Sequence, residues 1–420
     1  MIFIALFIFF TPAVASEKKI IFDNFSDQLQ IIKRDASYYV QGTNIQVELT
    51  NRVIIKTINN IKKQDVLGFH HGVSQVTELF QGTQSNFYLL TLHNENRLAQ
   101  VLFDLQNIQS THPKKGILLV QPDILQLHSK AEIQVSIKQY SSIKTTKPDN
   151  ASKVESPYLE LLNIPSLWKK TKGKNIKIAI VDDGVFLEHS ELKHITPLFS
   201  YDVENKIMSS MPIISNDTHG TKVAGIIFSS HDNIGIDGIA PEADLISIRQ
   251  PGTWTSNTLL SFQLANLMDA QIINCSWHSQ FLLQPIADIV DDLAKNGRQG
   301  KGTVVVISAG NNGQQITRNS TESAIESAIV VGASGKTLKR LAYSNYGPTV
   351  DFYTYGKRVK TTLSSGGYGV FSGTSLAAAV ISGLSALLLS DNPELTVEQL
   401  STQLKIIIKP QVNNSSKPIS

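Results

Sequence analysis

Downstream of residue 158 the apolar positions fall into two alternating rhythms. Continuous apolar runs at 176–181, 244–248, 271–275, 303–308 and 328–333 predict strands buried on both faces, as in a parallel sheet. Between them, residues 218–229, 259–268 and 282–295 predict helices. The stretch 371–390, FSGTSLAAAVISGLSALLLS, is apolar almost all round. It predicts a helix buried on every side, with Ser375 in its first turn after an irregular glycine-rich approach. A last helix begins at Val397, with Thr396 and Gln399 at capping-box spacing. The alternation implies an α/β fold, a doubly wound and mostly parallel sheet with helices on both faces.

The upstream pattern differs. Residues 51–128 read as strand 52–57, helix 60–67, strands 73–80 and 87–92 around a turn at Gly82, helix 94–105 and strand 116–124. That β-α-β-β-α-β order predicts a small α+β, ferredoxin-like domain. Residues 16–50 form an N-terminal extension with weak strand signals at 20–22, 29–32 and 45–49. Ser, Lys, Thr, Asp and Asn dominate 141–153, so 129–157 reads as a linker; 158–410 is the main domain and 411–420 a polar tail. Residues 2–10 are apolar and lead through Thr11-Pro12 to Ala13-Val14-Ala15, the pattern of a signal peptide over 1–15. No Lys or Arg precedes the apolar run. The expected location is the exterior or the cell envelope, and the run is too short for a stable membrane span.

Composition narrows the partners. A chain of 420 residues with 41% hydrophobic and 17% charged content forms sizeable cores. A net charge of +3 gives no case for nucleic acid. The single cysteine, Cys275, excludes an internal disulfide and a cysteine-based zinc site.

Candidate chemistry gathers at element ends. Ser375 lies where unpaired helix N–H groups could stabilise an oxyanion, though a serine there also serves as a simple cap. Asp182 ends the strand 176–181, at the crevice where open α/β sheets hold their sites; a turn-capping Asp is the plainer alternative. His219, in Thr218-His219-Gly220-Thr221-Lys222-Val223-Ala224-Gly225, opens a helix and could act as a general base oriented by a carboxylate. Asn311 follows Gly310 at the end of strand 303–308, where its amide could face an oxyanion or simply turn the chain. No G-x-G-x-x-G follows a strand, against a dinucleotide fold, and no G-x-S-x-G surrounds Ser375, against an α/β-hydrolase esterase.

Together VDDG, THGTKVAG, SAGNNG and SGTSLAA, in the order Asp, His, Asn, Ser, resemble the subtilisin-like serine proteases, the subtilases, over about residues 158–410. The resemblance implies a serine endopeptidase in which Asp182 orients His219, His219 takes the proton of Ser375 and Asn311 completes the oxyanion hole. It implies that 51–128 is an inhibitory propeptide, the chain's own intramolecular partner, and that the other partners are protein or peptide substrates met by a monomer. Ser276, Trp277 and His278 would form one wall of the S1 pocket and Ser308, Ala309 and Gly310 the other. A glycine is usual at the position of His278, and the proline common after the serine is replaced by alanines. Asp183 and the Ser276-Trp277 pair are kexin-like. Glu322 and Glu326 fall in the segment that passes beneath S1; solvation at the surface is the expectation for both, with pairing to a basic P1 residue as the challenger. No cofactor is implied for the chemistry, but the loop 231–235 resembles a family calcium loop, which implies structural Ca²⁺ at Glu191 and Asp232. The rival reading is a subtilase-fold self-processing or binding protein with little activity in trans.

Overall fold

The computed structural model describes residues 19–126, 129–130 and 153–408. The signal-peptide stretch, most of the linker and the polar tail lie outside them. The N-terminal module contains β1 (Lys19–Asn24), β2 (Asp27–Arg34), β3 (Ser37–Val40), β4 (Gln46–Ile58), α1 (Lys63–Leu67), β5 (Val73–Gln81), β6 (Ser85–Leu92), α2 (Leu98–Thr111) and β7 (Ile117–Gln126). β4 lies between β7 and β6, and β6 pairs with β5, all antiparallel, so the predicted β-α-β-β-α-β unit closes with its first strand inside. α2 buries Leu98, Val101, Leu102 and Leu105 at helical spacing against the sheet, which is why this segment was legible.

The boundary expected at residue 50 is corrected by the strand that crosses it. β4 runs unbroken from Gln46 to Ile58, and β1–β3 form an antiparallel meander that joins its first residues. Residues 19–50 therefore belong to the same sheet. Only β1 alternates buried and exposed positions, and the runs are too short to show a period.

A two-residue strand, β8 (Ser129–Lys130), follows β7. The main unit then runs α3 (Pro157–Leu161), α4 (Ile164–Trp168), β9 (Lys177–Asp182), β10 (Phe199–Asp202), α5 (His219–Phe228), β11 (Asp244–Arg249), β12 (Thr253–Trp254), α6 (Thr255–Leu267), β13 (Ile272–Cys275), β14 (Trp277–His278), α7 (Gln284–Gly300), β15 (Val304–Ser308), β16 (Ile329–Ser334), β17 (Val350–Tyr355), β18 (Val359–Thr362), β19 (Tyr368–Phe371), α8 (Thr374–Asp391) and α9 (Val397–Ile408). Seven strands form a parallel sheet in the order β10-β11-β9-β13-β15-β16-β17. The doubly wound α/β fold is as expected. The glycine-rich approach to Ser375 is not irregular: β18 and β19 form a hairpin that ends three residues before Thr374.

One face of the sheet packs on α5, α8 and α9. The other packs on α6 and α7, and the N-terminal module continues that same core from Phe22 and Val53 to Ile273 and Val305. α8 is long and apolar enough to cross a bilayer, yet 89% of it is buried within the protein, so it is a core helix. Burial on every side accounts for its Ala, Leu, Val and Ile, broken only by the small Ser382, Gly383 and Ser385, with each large side chain contributing about 1.5–3 kcal/mol.

Candidate active site

Parallel strands bring their carboxyl ends to one edge, and the candidate residues meet there. Asp182 is the last residue of β9, His219 the first of α5 and Ser375 the second of α8. All three are buried. His219 Nδ1 lies 2.9 and 2.8 Å from the two carboxylate oxygens of Asp182, and its Nε2 lies 3.0 Å from Ser375 Oγ. With Nδ1 facing a carboxylate, the neutral ring carries its proton there and leaves Nε2 as an acceptor. Asp182 also accepts the Asp183 N–H at 2.8 Å, and the Phe371 ring stands edge-on to the imidazole at 5.6 Å.

Asp183 is bound to the backbone of the helix that carries His219. Its carboxylate accepts the N–H groups of His219 (3.1 Å) and Gly220 (2.8 Å), where α5 would otherwise leave orphan donors. The tandem acids therefore divide the work: one holds the ring, the other the backbone beneath it.

Asn311 is set by a glycine turn. Gly310 adopts φ +97°, a left-handed conformation that disfavours a side chain, and its N–H donates to Thr374 Oγ1 at 3.1 Å. The Thr374 N–H in turn donates to Asn311 Oδ1 at 3.0 Å. Asn311 Nδ2 is thereby left buried without a partner, a donor waiting for an acceptor beside the Ser375 helix. Asn345 was not singled out by the sequence. Its Oδ1 accepts the N–H groups of Asn312 and Gln314, and its Nδ2 donates to the Ala309 carbonyl, so it holds the turn from behind. An asparagine 34 positions downstream in an irregular segment gives no sequence signal.

The strand β13 leads to Ser276, Trp277 and His278. Ser375 Oγ lies 2.9 Å from the Ser276 carbonyl, and Trp277 Nε1 donates to the Val181 carbonyl at 2.8 Å. β14 pairs antiparallel with β8, Trp277 opposite Lys130 and His278 opposite Ser129, while β12 pairs with the end of β7. The chain leaving the N-terminal module thus lies along the edge beside Ser375 as an added strand. His278 is buried 3.3 Å from where a Cβ on Gly310 would stand. Desolvation pushes its pKa down to about 4, so it is a neutral ring and not a cation at mild acidity. Ser308 ends β15, and Ala309 and Gly310 follow it, all three buried.

Glu322 departs from expectation. It is 3% exposed, and its carboxylate accepts both the N–H (2.8 Å) and the hydroxyl of Ser279. Burial raises its pKa. It fixes the chain just after His278 instead of meeting solvent; Glu326 is exposed, as expected.

The two residues expected to hold Ca²⁺ do not fit it. Glu191 Oε1 already accepts the Ile236 N–H at 3.1 Å and the Tyr368 hydroxyl, and burial raises the carboxyl's pKa. Asp232 accepts the Ile234 N–H at 2.9 Å and the Ser230 hydroxyl at 3.2 Å. A cation needs six to eight convergent oxygens. Here protein N–H and O–H groups already engage Glu191 Oε1 and both oxygens of Asp232, and no group of three or more His, Cys, Asp or Glu suited to a metal occurs among the described residues.

A parallel α/β sheet with an Asp–His–Ser relay at its carboxyl edge defines a class of serine hydrolases. Within that class residues 173–415 match the subtilase family, and the chain belongs to it. Similar proteins include subtilisin NAT of Bacillus subtilis subsp. natto, 29% identical over 56% of this chain and 60% of that protein. The minor extracellular protease Epr of Bacillus subtilis is 29% identical over 68% of this chain and 43% of its own length. The major intracellular serine protease of the same species is 30% identical over 58% of this chain and 77% of its own. The chain thus spans 60% or less of the first two relatives. Among solved structures, fervidolysin from Fervidobacterium pennivorans, described as a keratinolytic enzyme related to subtilisin, shares the fold with a TM-score of 0.63 at 20% identity, over 89% of this chain and 58% of that one.

Proposed function

We propose that the protein is an exported serine endopeptidase that hydrolyses peptide bonds through an acyl-enzyme on Ser375. The observation that carries this is the unbroken line from the Asp182 carboxylate through both nitrogens of His219 to Ser375 Oγ at 3.0 Å. Ser375 Oγ adds to the substrate carbonyl carbon while its proton passes to His219 Nε2, and Asp182 stabilises the imidazolium. The Asn311 amide and the N–H groups at the start of α8 receive the oxyanion. His219 then protonates the leaving amine, and water repeats the sequence to free the acid. Every proton in this route moves between the reactants and His219.

The N-terminal module, residues 19–130, serves as propeptide and inhibitor in this reading. It is supported by β7 and β8, which lie on β12 and β14 in the manner of a bound substrate strand. The same pairing favours a second reading, in which the module stays in place and the protein processes only itself. Labelling of Ser375 with a fluorophosphonate separates the two: label that appears in the wild-type protein as the module is lost during maturation supports the endopeptidase, and a matured chain that keeps the module and stays unlabelled supports the second. Ser375→Ala is expected to be recovered as the full-length chain, as seen by intact mass from a protease-free host. If Ser375→Ala still matured to the wild-type N-terminus, Ser375 would not be the nucleophile.

A further inference from the structure

Beyond the relay, the described surface carries a cluster of cations around a concavity. The turn after β16 and the turn after β17 enclose a concavity of about 480 Å³ lined by Lys336, Lys339, Arg340, Lys357 and Arg358, with no carboxylate among the lining residues. All five are exposed. Their combined charge exceeds the +3 of the whole chain, so the remainder of the chain is net negative. Among the described residues Lys336, Lys339 and Lys357 have no ion-pair partner. Arg340 is held by the carbonyl of Ser344 at 2.7 Å and lies over the Tyr346 ring, so part of the patch is preformed.

The patch is tied to the approach to the nucleophile. The Gly373 N–H donates to the Gly356 carbonyl at 2.8 Å, and the Arg358 N–H to Ser372 Oγ at 3.0 Å. Its place relative to a bound chain follows from the sheet order. Residues 125 and 126 pair with β12, which follows β11, and residues 129 and 130 with β14, which follows β13. In the order β11-β9-β13-β15-β16-β17 a chain continuing in that direction past Ser375 heads over the carboxyl ends of β15, β16 and β17. The cations stand after β16 and β17. Three strand steps at about 4.8 Å put the patch about 14 Å beyond β13, roughly four extended residues.

We propose that this patch is a specificity site for acidic residues three to five positions beyond the scissile bond, on the leaving-group side of the substrate. The inference rests on the endopeptidase reading and names its preferred substrate: a segment with Asp or Glu downstream of the cut. Each exposed pair contributes little, so recognition comes from several cations acting on two or three carboxylates.

The test uses internally quenched peptides identical but for Glu or Gln at those three positions. The processed wild-type enzyme is expected to cleave the Glu peptide with kcat/KM about three- to tenfold higher at low ionic strength. The advantage should collapse in high salt. In Lys336→Gln/Lys339→Gln/Lys357→Gln it should vanish, with the rate on the Gln peptide unchanged. Equal cleavage by the wild type, or a preference that survives in the triple variant, overturns the proposal. If neither peptide is cut and no fluorophosphonate label is taken, the endopeptidase reading fails instead. Binding of the two peptides to the processed enzyme after inactivation at Ser375, read by fluorescence anisotropy, still decides the patch: tighter binding of the Glu peptide supports it and equal affinities overturn it. Tight binding of a sulfated polysaccharide with no discrimination between the peptides also overturns it, in favour of a polyanion dock.

Discussion

At Asn311 the hydrogen bonds predict a role confined to the transition state. Oδ1 is committed to the Thr374 N–H, and only Nδ2 remains to meet new charge. Asn311→Ala is therefore expected to lower kcat by about 10²–10³ with KM little changed, a magnitude carried over by kinship from the same loss in subtilisin. Steady-state kinetics on a peptide substrate check it; a raised KM at constant kcat would move Asn311 to substrate binding. His278 predicts a pH dependence of stability. Its pKa falls from 6.5 to about 4 on folding, so below pH 6.5 the unfolded chain binds the proton more readily. Stability is lost as pH drops from 6.5 towards 4 and is unaffected by this residue above 6.5. The window corresponds to about 3 kcal/mol. In a Ser375→Ala background, urea unfolding at pH 7 and pH 4.5 should show His278→Gln losing about 2–3 kcal/mol less than its parent. Equal losses would mean that His278 is protonated in the fold.

At the scale of the element, helix termini carry the arrangement. α5 begins on Asp183 and α8 begins on Asn311, so both helix starts are fixed by residues of the site itself. α6 is capped from outside its own segment. Its preceding residue, Trp254, offers no side-chain cap, and Asp123 of β7 accepts the Ser256 N–H at 2.9 Å and its hydroxyl at 2.7 Å. Arg52 pairs with the same buried carboxylate at 2.9 Å. Asp123→Ala should thus destabilise the first turn of α6 by about 1 kcal/mol, about a fivefold faster exchange of the Ser256 amide. Hydrogen exchange in the full-length Ser375→Ala protein measures it; unchanged exchange would show that packing alone holds the turn.

At the scale of the whole molecule, the N-terminal module is joined to the main unit by contacts from its entire length. Asn24 bonds to the Leu282 carbonyl and the Gln284 N–H, Lys56 to Asp288 at 2.8 Å, and Gln126 to the backbone of Gln280 and Phe281. The Asn24 contacts come from β1, outside the ferredoxin-like unit. A fragment of residues 19–130 is therefore expected to inhibit the processed enzyme at micromolar concentration or below. A fragment of 51–130, which cuts β4 and removes β1–β3, should inhibit at least tenfold more weakly, since loss of a few interfacial hydrogen bonds costs about 1.4 kcal/mol or more. Equal potency would mean that the meander is an appendage.

Several features were legible in the residues alone because they are local. Continuous apolar runs mark strands buried on both faces, and an all-apolar stretch marks α8, since periodicity reports burial directly. Asp182, His219, Asn311 and Ser375 were readable because each sits at an element end within a short glycine-bearing motif. What the linear order could not supply is the company each side chain keeps. Glu322 reads as a surface glutamate until the fold brings Ser279 to it from 43 positions away. Glu191 reads as a calcium ligand until Tyr368, 177 positions on, takes its oxygen. Asn345 and the cationic patch have no motif at all. The strand β4 crosses the boundary that composition suggests, because pairing with β3, β6 and β7 depends on distant partners and not on its own periodicity. Local sequence determines which segments become strands and helices and which residues can do chemistry; tertiary structure decides whether a charge is solvated, paired or buried, since that depends on contacts made across the chain.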